Sequence, residues 1–197
     1  MNYLAHAYLS FGQPQILVGN MISDFVKGSK KNTYPELIYR GIMLHRAIDS
    51  YTDNHKATRD AKTLFRAEYG LYSGAFIDIV YDHFLAKNES LFYPDGLMVF
   101  ASNTYLVLEQ NMKLLPEGFK RMLPYMKTQN WLYNYRFTDG VRNSFQGLVR
   151  RAAYMHDSTQ AFEIFIENYL QLESLSGLFL PDVERFAKEH YIKIMAD

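Results

Sequence analysis

The chain has 197 residues, 48% of them hydrophobic and 16% aromatic, which is enough apolar material for one domain with a substantial core. Its 21 basic and 21 acidic residues cancel, which argues against a general nucleic-acid binder. With no cysteine, disulfides and thiolate metal sites are excluded, so any metal must be held by histidine and carboxylate.

The opening Met1-Asn2-Tyr3-Leu4-Ala5-His6 has no basic n-region, and no apolar run approaches the ~20 residues of a membrane span. The expectation is a soluble cytoplasmic protein with neither a membrane nor nucleic acid as partner. Asn2 to Phe11 reads as a first short helix, ended by Gly12-Gln13-Pro14. Pro14 suits the first turn of a second helix running to about Val26, with Leu17, Asn20/Met21 and Asp24 on one face and Gly28 as its stop. Lys27, Lys30 and Lys31 make a small basic loop.

A central helix starts near Tyr34-Pro35-Glu36 and breaks at Asp53-Asn54, either of which suits the cap of a helix from His55 to Tyr69. Ser73 is the expected cap of Gly74 to Lys87, and Tyr93-Pro94-Asp95-Gly96 reads as a turn. Further helical patterns run over about 97–114, 118–127, 130–137, 139–155, 159–172 and 181–195, the last opened by Pro181. No sustained alternation reads as a strand, so the fold class is all-α, one compact multi-helix domain over residues 1–197.

Three segments carry ionisable groups on otherwise apolar faces. In the central helix the stripe Ile38, Ile42, His45, Asp49 and Thr52/Asp53 turns from aliphatic to imidazole and carboxylate without changing direction. His45 and Asp49, one turn apart, suit a shared metal or a direct hydrogen bond. The bland alternative is a core histidine satisfied by its neighbour. Asp78 and Asp82 repeat that spacing with two like charges, a pairing that costs a helix about 0.2–0.5 kcal/mol unless a cation sits between them. Asp24 ends the stripe of the second helix, and His6 lies on the aromatic face of the first. Histidine and aspartate on separate helices suit a divalent ion inside a helical bundle. His156-Asp157, the only contiguous His-Asp pair, stands where a helix pattern ends and reads as a helix cap.

Four motifs in order and spacing carry a resemblance. They are Asn2-Tyr3-Leu4-Ala5-His6; Gly19-Asn20 with Asp24-Phe25-Val26-Lys27-Gly28; His45-Arg46-Ala47-Ile48-Asp49 with Thr52-Asp53-Asn54; and Asp78 with Asp82-His83-Phe84-Leu85. Trp131-Leu132 with Tyr135-Arg136 is a weaker echo. In these the chain resembles the acyl carrier protein phosphodiesterases, most closely over residues 1–90.

The resemblance implies an HD-domain-like helical fold, a divalent metal with manganese favoured over magnesium, and holo-acyl carrier protein as substrate. The implied reaction is removal of the 4′-phosphopantetheine arm from the carrier's serine. Asp24, His45, Asp49, Asp78 and Asp82 form the expected pool of metal ligands. His6 or His83 is the expected proton donor to the leaving serine oxygen, and Arg46 the expected partner of the phosphate. Because carrier proteins are acidic, Lys27, Lys30 and Lys31, with Arg150-Arg151 as a second basic spot, are the expected docking charges. One departure stands out: HD enzymes use a contiguous His-Asp pair, whereas this chain offers His45 with Asp49 and the reversed Asp82-His83. The competing readings are a metal-dependent phosphohydrolase of nucleotides or small diesters, and a non-enzymatic helical binding module.

Overall fold

The helix α5, Ser73–Lys87, is buried along almost its whole length, with Phe76, Ile77, Ile79, Val80, Tyr81, Phe84, Leu85 and Ala86 all inside. A helix so largely apolar belongs at the centre of a bundle, and helices from both halves of the chain pack against it. The structure is a computed structural model and describes residues 1–92, 96–152, 155 and 157–196, with the side chain of Arg151 left aside.

Before α5 come α1 (Tyr3–Tyr8), α2 (Pro14–Ile22), α3 (Glu36–Asn54) and α4 (Lys56–Tyr69). After it come α6 (Gly96–Gln110), α7 (Glu117–Thr128), the single turn α8 (Trp131–Asn134), α9 (Thr138–Arg151), α10 (Thr159–Glu167) and α11 (Tyr169–Ala196). No strand occurs among the described residues. None of the helices is long and apolar enough to cross a membrane. Buried apolar side chains from α1 through α11 form one cluster, with the rings of Phe65, Phe76, Phe145 and Phe165 packed edge-to-face and offset within it.

The closest helix pair is α2 against α3, and two glycines make it so. A Cβ on Gly19 would run into the carbonyl oxygen of Ile38, and one on Gly41 into that of Ile16. Backbone therefore touches backbone at this crossing. The short α1 lies on α2 and α5, and α11 packs against α3, α4 and α5.

Several expected boundaries moved, each for a visible reason. Pro181 does not open a helix; α11 runs through it. A mid-helix proline costs about 3 kcal/mol, but Leu172, Ser176, Phe179, Val183 and Ala187 bury one continuous face on both sides of it. Ser73 does not cap α5, because a 3-10 turn, Gly70–Tyr72, feeds straight into that helix. Neither Asp53 nor Asn54 caps α4: His55 does, its Nδ1 accepting from the Ala57 N–H at 3.2 Å, while Asp53 pairs with Lys62 at 2.7 Å. Residues 93–95 of the expected turn, and His156, lie outside the described residues. Asp157 accepts from both the N–H and the hydroxyl of Thr159 at the start of α10, at 3.0 and 2.8 Å.

Candidate active site

The backbone-tight crossing of α2 and α3 decides where His45 points. Asn20 sits next to Gly19 in the last turn of α2, where carbonyls run out of partners within their own helix. The Asn20 carbonyl accepts from His45 Nδ1 at 2.7 Å. A carbonyl is only an acceptor, so Nδ1 carries the proton and Nε2 of the neutral ring presents a lone pair. That nitrogen lies 3.0 Å from Asp49 Oδ2 and 3.2 Å from Asp24 Oδ1.

The Asn20 side chain orients a second imidazole in the same way. Its amide nitrogen donates to the His6 carbonyl at 2.8 Å and to Ser10 Oγ at 3.1 Å, which leaves its oxygen to accept from His6 Nδ1 at 2.8 Å. His6 Nε2 therefore also presents a lone pair. It lies 3.2 Å from Asp49 Oδ1 at an angle that makes no hydrogen bond, and it is buried without any other partner. The two rings stack, centroids 3.7 Å apart and planes 14° from parallel.

Three ligand atoms, one each from His6, His45 and Asp49, all lie within 4.8 Å of one another, with Asp24 at the open edge. Lone pairs aimed at carboxylates repel unless a cation or a proton stands between them. The donor set, two imidazole nitrogens and carboxylate oxygens, is that of a borderline divalent ion. The orphaned His6 Nε2 is a buried polar atom that such an ion would satisfy.

Electrostatics follow from this crowding. Burial and the neighbouring His45 push His6 down to about 4. Burial also acts to lower His45, but its hydrogen bonds to the Asp24 and Asp49 carboxylates outweigh it and lift the ring to about 9. The His45 hydrogen bond holds Asp24 below its ordinary range. Asp49 is depressed far more: burial opposes ionisation, but the Met1 ammonium and both imidazoles overcome it.

The other expected site residues go elsewhere. The Met1 ammonium bridges Asp49 Oδ1 at 3.2 Å and Asp78 Oδ1 at 3.1 Å, so Asp78 meets the cluster through this amine. Asp82 is fully buried and accepts from the backbone N–H groups of Leu4 and Ala5, at 2.7 and 3.1 Å. It caps α1 from a different helix, and burial pushes it up to about 7 against the pull of those two amides.

His83 faces the other side of α5. Its Nδ1 donates to the Tyr135 carbonyl at 2.7 Å and its Nε2 accepts from the Tyr169 hydroxyl at 2.8 Å. Arg46 donates to the Val26 carbonyl at 2.9 Å and thereby ties α3 to the 3-10 turn Ser23–Phe25 that carries Asp24. Lys27 and Lys30 are exposed, while Lys31 is half-buried over the Tyr39 ring. Asn20 was read on the α2 face and in the Gly19-Asn20 motif but given no role, because a buried asparagine carries no charge pattern. Its place beside Gly19 was the signal that could have found it.

A family model described as acyl carrier protein phosphodiesterase matches residues 1–183. The chain belongs to this family. It is 30% identical to the acyl carrier protein phosphodiesterase of Yersinia pestis over 98% of this chain and 100% of that one. It is 31% identical to that of Escherichia coli O157:H7 over 92% and 94%, and 30% identical to that of Serratia proteamaculans over 96% and 98%. No solved structure matches it. Within the acyl carrier protein phosphodiesterase family, this chain places its histidine pair and Asp49 on two separate helices, α1 and α3.

Proposed function

We propose that this chain hydrolyses the phosphodiester linking 4′-phosphopantetheine to the serine of holo-acyl carrier protein, giving the apo-carrier and free 4′-phosphopantetheine. The observation that carries the reading is the convergence of two imidazole lone pairs on Asp49 beside Asp24, in a chain of the acyl carrier protein phosphodiesterase family. We assign His6, His45, Asp49 and Asp24 to the metal-holding set, with manganese favoured by the resemblance. Asp78 and Asp82 become supports, one gripping the Met1 ammonium and the other the start of α1. A bound divalent ion would supply Lewis acidity toward the phosphoryl oxygens and acidity to water.

The chain's own groups prepare that chemistry. Asn20 fixes the tautomer and aim of both imidazoles, a role that outer partners of metal-binding histidines commonly fill. Asp24 is the most exposed member, its side chain 69% accessible, and marks the side from which a diester on a protein's surface can approach. Arg46 holds the turn that presents Asp24. Lys27 and Lys30 follow Asp24 in the chain and make no ion pair among the described residues, which suits docking of an acidic carrier. Histidine and aspartate drawn from separate helices of a bundle also support a distant HD-phosphohydrolase likeness of the fold, with His45 and Asp49 in place of a contiguous pair.

Mass spectrometry of holo-acyl carrier protein incubated with the chain and manganese tests the reaction. Loss of the phosphopantetheine mass is expected. An unchanged holo-carrier, with small diesters still cleaved, would transfer the site to another phosphohydrolase substrate.

A further inference from the structure

A cavity that the ligand set does not use opens beside the first residues of α1, the helix that also carries His6. It has a volume of about 320 Å³ and is lined by Asn2, Tyr3, Trp131, Asn143 and Arg150, among others. That is at the lower end of ligand pockets, which run about 300–1,000 Å³.

Three observations join it to the site. Tyr3 and His6 are three residues apart on α1 and share a face. Asn2 follows Met1, whose ammonium bridges Asp49 and Asp78, and Ile79 of the cavity wall follows Asp78. An aromatic wall then runs from the turn holding Asp24 to the cavity: Phe25 packs on Phe119 at 5.5 Å, Phe119 on Tyr3 at 6.4 Å, and Tyr3 on Trp131 at 6.4 Å.

The lining has a definite chemistry. Carboxamides from Asn2, Gln129 and Asn143 and the hydroxyl of Ser144 alternate with the rings of Tyr3, Tyr125 and Trp131. Among the described side chains, none that lines it is acidic and Arg150 is its one cation. Neutral donors and acceptors between apolar faces suit a slender, uncharged chain of amides and short alkyl links. They do not suit a nucleobase with phosphates, which needs several cations. Asn2 Nδ2 already donates to the Tyr135 hydroxyl at 2.9 Å and Gln129 Oε1 accepts from Trp131 Nε1 at 2.8 Å, so a bare fatty chain would leave unmatched their remaining amide atoms and the Asn143 amide. Asn143 is exposed and its side chain makes no hydrogen bond to other described residues, so its amide is available to a ligand.

We propose that this cavity receives the pantetheine arm of the carrier's prosthetic group, its pair of amides meeting the carboxamide side chains and its gem-dimethyl carbon the Tyr3 and Trp131 rings, while the diester lies at the His6–His45–Asp49 cluster. The assignment rests on the reaction proposed above. The arm then serves as the specificity element, and the cavity distinguishes a holo-carrier from an ordinary diester.

The chain supplies its own reporter, since Trp131 is its only tryptophan. Pantetheine, which lacks the phosphate, is titrated into the full chain after chelator treatment while Trp131 emission is followed. A saturable change is expected, weakened up to about tenfold by Asn143→Leu, the worth of one lost hydrogen bond. Asn143 is exposed on α9, so this variant should fold as the parent does, which circular dichroism checks. Trp131→Ala should raise KM for the holo-carrier about tenfold and cost far less on bis(p-nitrophenyl) phosphate. No saturable emission change, or equal losses on both substrates in Trp131→Ala, would overturn the proposal. Pantetheine binding without cleavage of the holo-carrier would support the cavity and overturn the reaction. Cleavage without any pantetheine signal would do the reverse.

Discussion

His6 and His45 stack with their ring centroids 3.7 Å apart, and Asp49 offers one carboxylate oxygen to each. Burial, reinforced by the charge of the neighbouring ring, drives His6 down to about 4, while Asp24 and Asp49 lift His45 to about 9 against its own burial. Without metal, the pair therefore carries one positive charge near neutrality, its extra proton on His45 Nε2. A divalent ion taking up that nitrogen would have to displace it.

The first prediction concerns metal and pH together. His45 has a folded value above its ordinary 6.5, so its proton-linked stabilisation is complete below about 6.5 and is lost as pH rises through about 9. Metal binding releases this proton, so affinity should climb by up to about tenfold per pH unit below about 9. Isothermal titration of manganese into chelator-treated protein at two pH values, in buffers of different ionisation heat, reads the proton directly. Manganese should also raise the melting temperature, and EDTA should reverse the rise. A melt indifferent to both would remove the metal from the cluster.

How much of this was legible in the sequence depends on the interaction range. His45 and Asp49 stand one turn apart on a long amphipathic helix, so their common face could be read from spacing alone. Asp24 was expected to close the α2 stripe, but α2 stops at Ile22 and the 3-10 turn Ser23–Phe25 presents it instead. The roles of Asp82 and Asp78 were not legible, because the groups they bind, the N–H groups of Leu4 and Ala5 and the Met1 ammonium, lie more than seventy positions away in the chain. Their helical spacing was correctly noticed, yet it carries no information about which backbone end packs there. Pro181 failed as a helix start for a similar reason: burial on both sides of it is a tertiary fact.

Gly19→Ala or Gly41→Ala should be among the most damaging small substitutions. Each added methyl meets a backbone carbonyl of the facing helix, which cannot swing away as a side chain would. Overpacking of this kind costs about 1–3 kcal/mol, and more where backbone must shift. Because the shift would carry the Asn20 carbonyl away from His45, metal affinity should fall along with urea stability. Gly12→Ala offers the contrast, since its added carbon meets nothing, although its left-handed backbone (φ 73°) still adds strain. An α2–α3 pair that tolerates both alanines without loss would mean the helices do not cross this closely.

Asp82→Asn separates a cap from a ligand. The amide keeps one acceptor oxygen where the carboxylate offers two, so one of the Leu4 and Ala5 N–H groups is left buried and unpaired, at a cost of about 1–3 kcal/mol. Stability should drop while the number of manganese ions bound at saturation stays the same. Loss of a bound ion with stability intact would return Asp82 to the ligand set.

Reversing charge at Lys27 and Lys30 tests the docking surface. Both are exposed and lie just beyond the Asp24 turn. Lys27→Glu with Lys30→Glu should lower kcat/KM for the holo-carrier several-fold, chiefly at low salt, and spare a small diester. Equal loss on both substrates, or none on either, would place carrier docking elsewhere.

His83 gives an acid-side prediction independent of the cluster. It is buried, donates to the Tyr135 carbonyl and accepts from the Tyr169 hydroxyl, which also takes a hydrogen bond from Lys87 at 2.7 Å. Protonating Nε2 would set a second donor against that hydroxyl beside an ammonium. Burial, reinforced by the Lys87 charge, accordingly holds the ring below its ordinary value, against a smaller opposing pull from the Tyr135 carbonyl. A histidine whose folded value is depressed costs nothing above about 6.5 and removes stability as pH falls below it, since the unfolded chain then binds more protons. His83→Gln keeps a donor for the carbonyl and cannot be protonated. The variant should be somewhat less stable near neutrality, yet lose less of its melting temperature on acidification from about pH 7.5 to about pH 5.5. His6, lowered in the same direction, remains in both proteins, so the difference between the two slopes isolates His83. Parallel slopes would mean that His83 titrates normally, and the buried chain from Tyr135 through His83 to Tyr169 would not form as described.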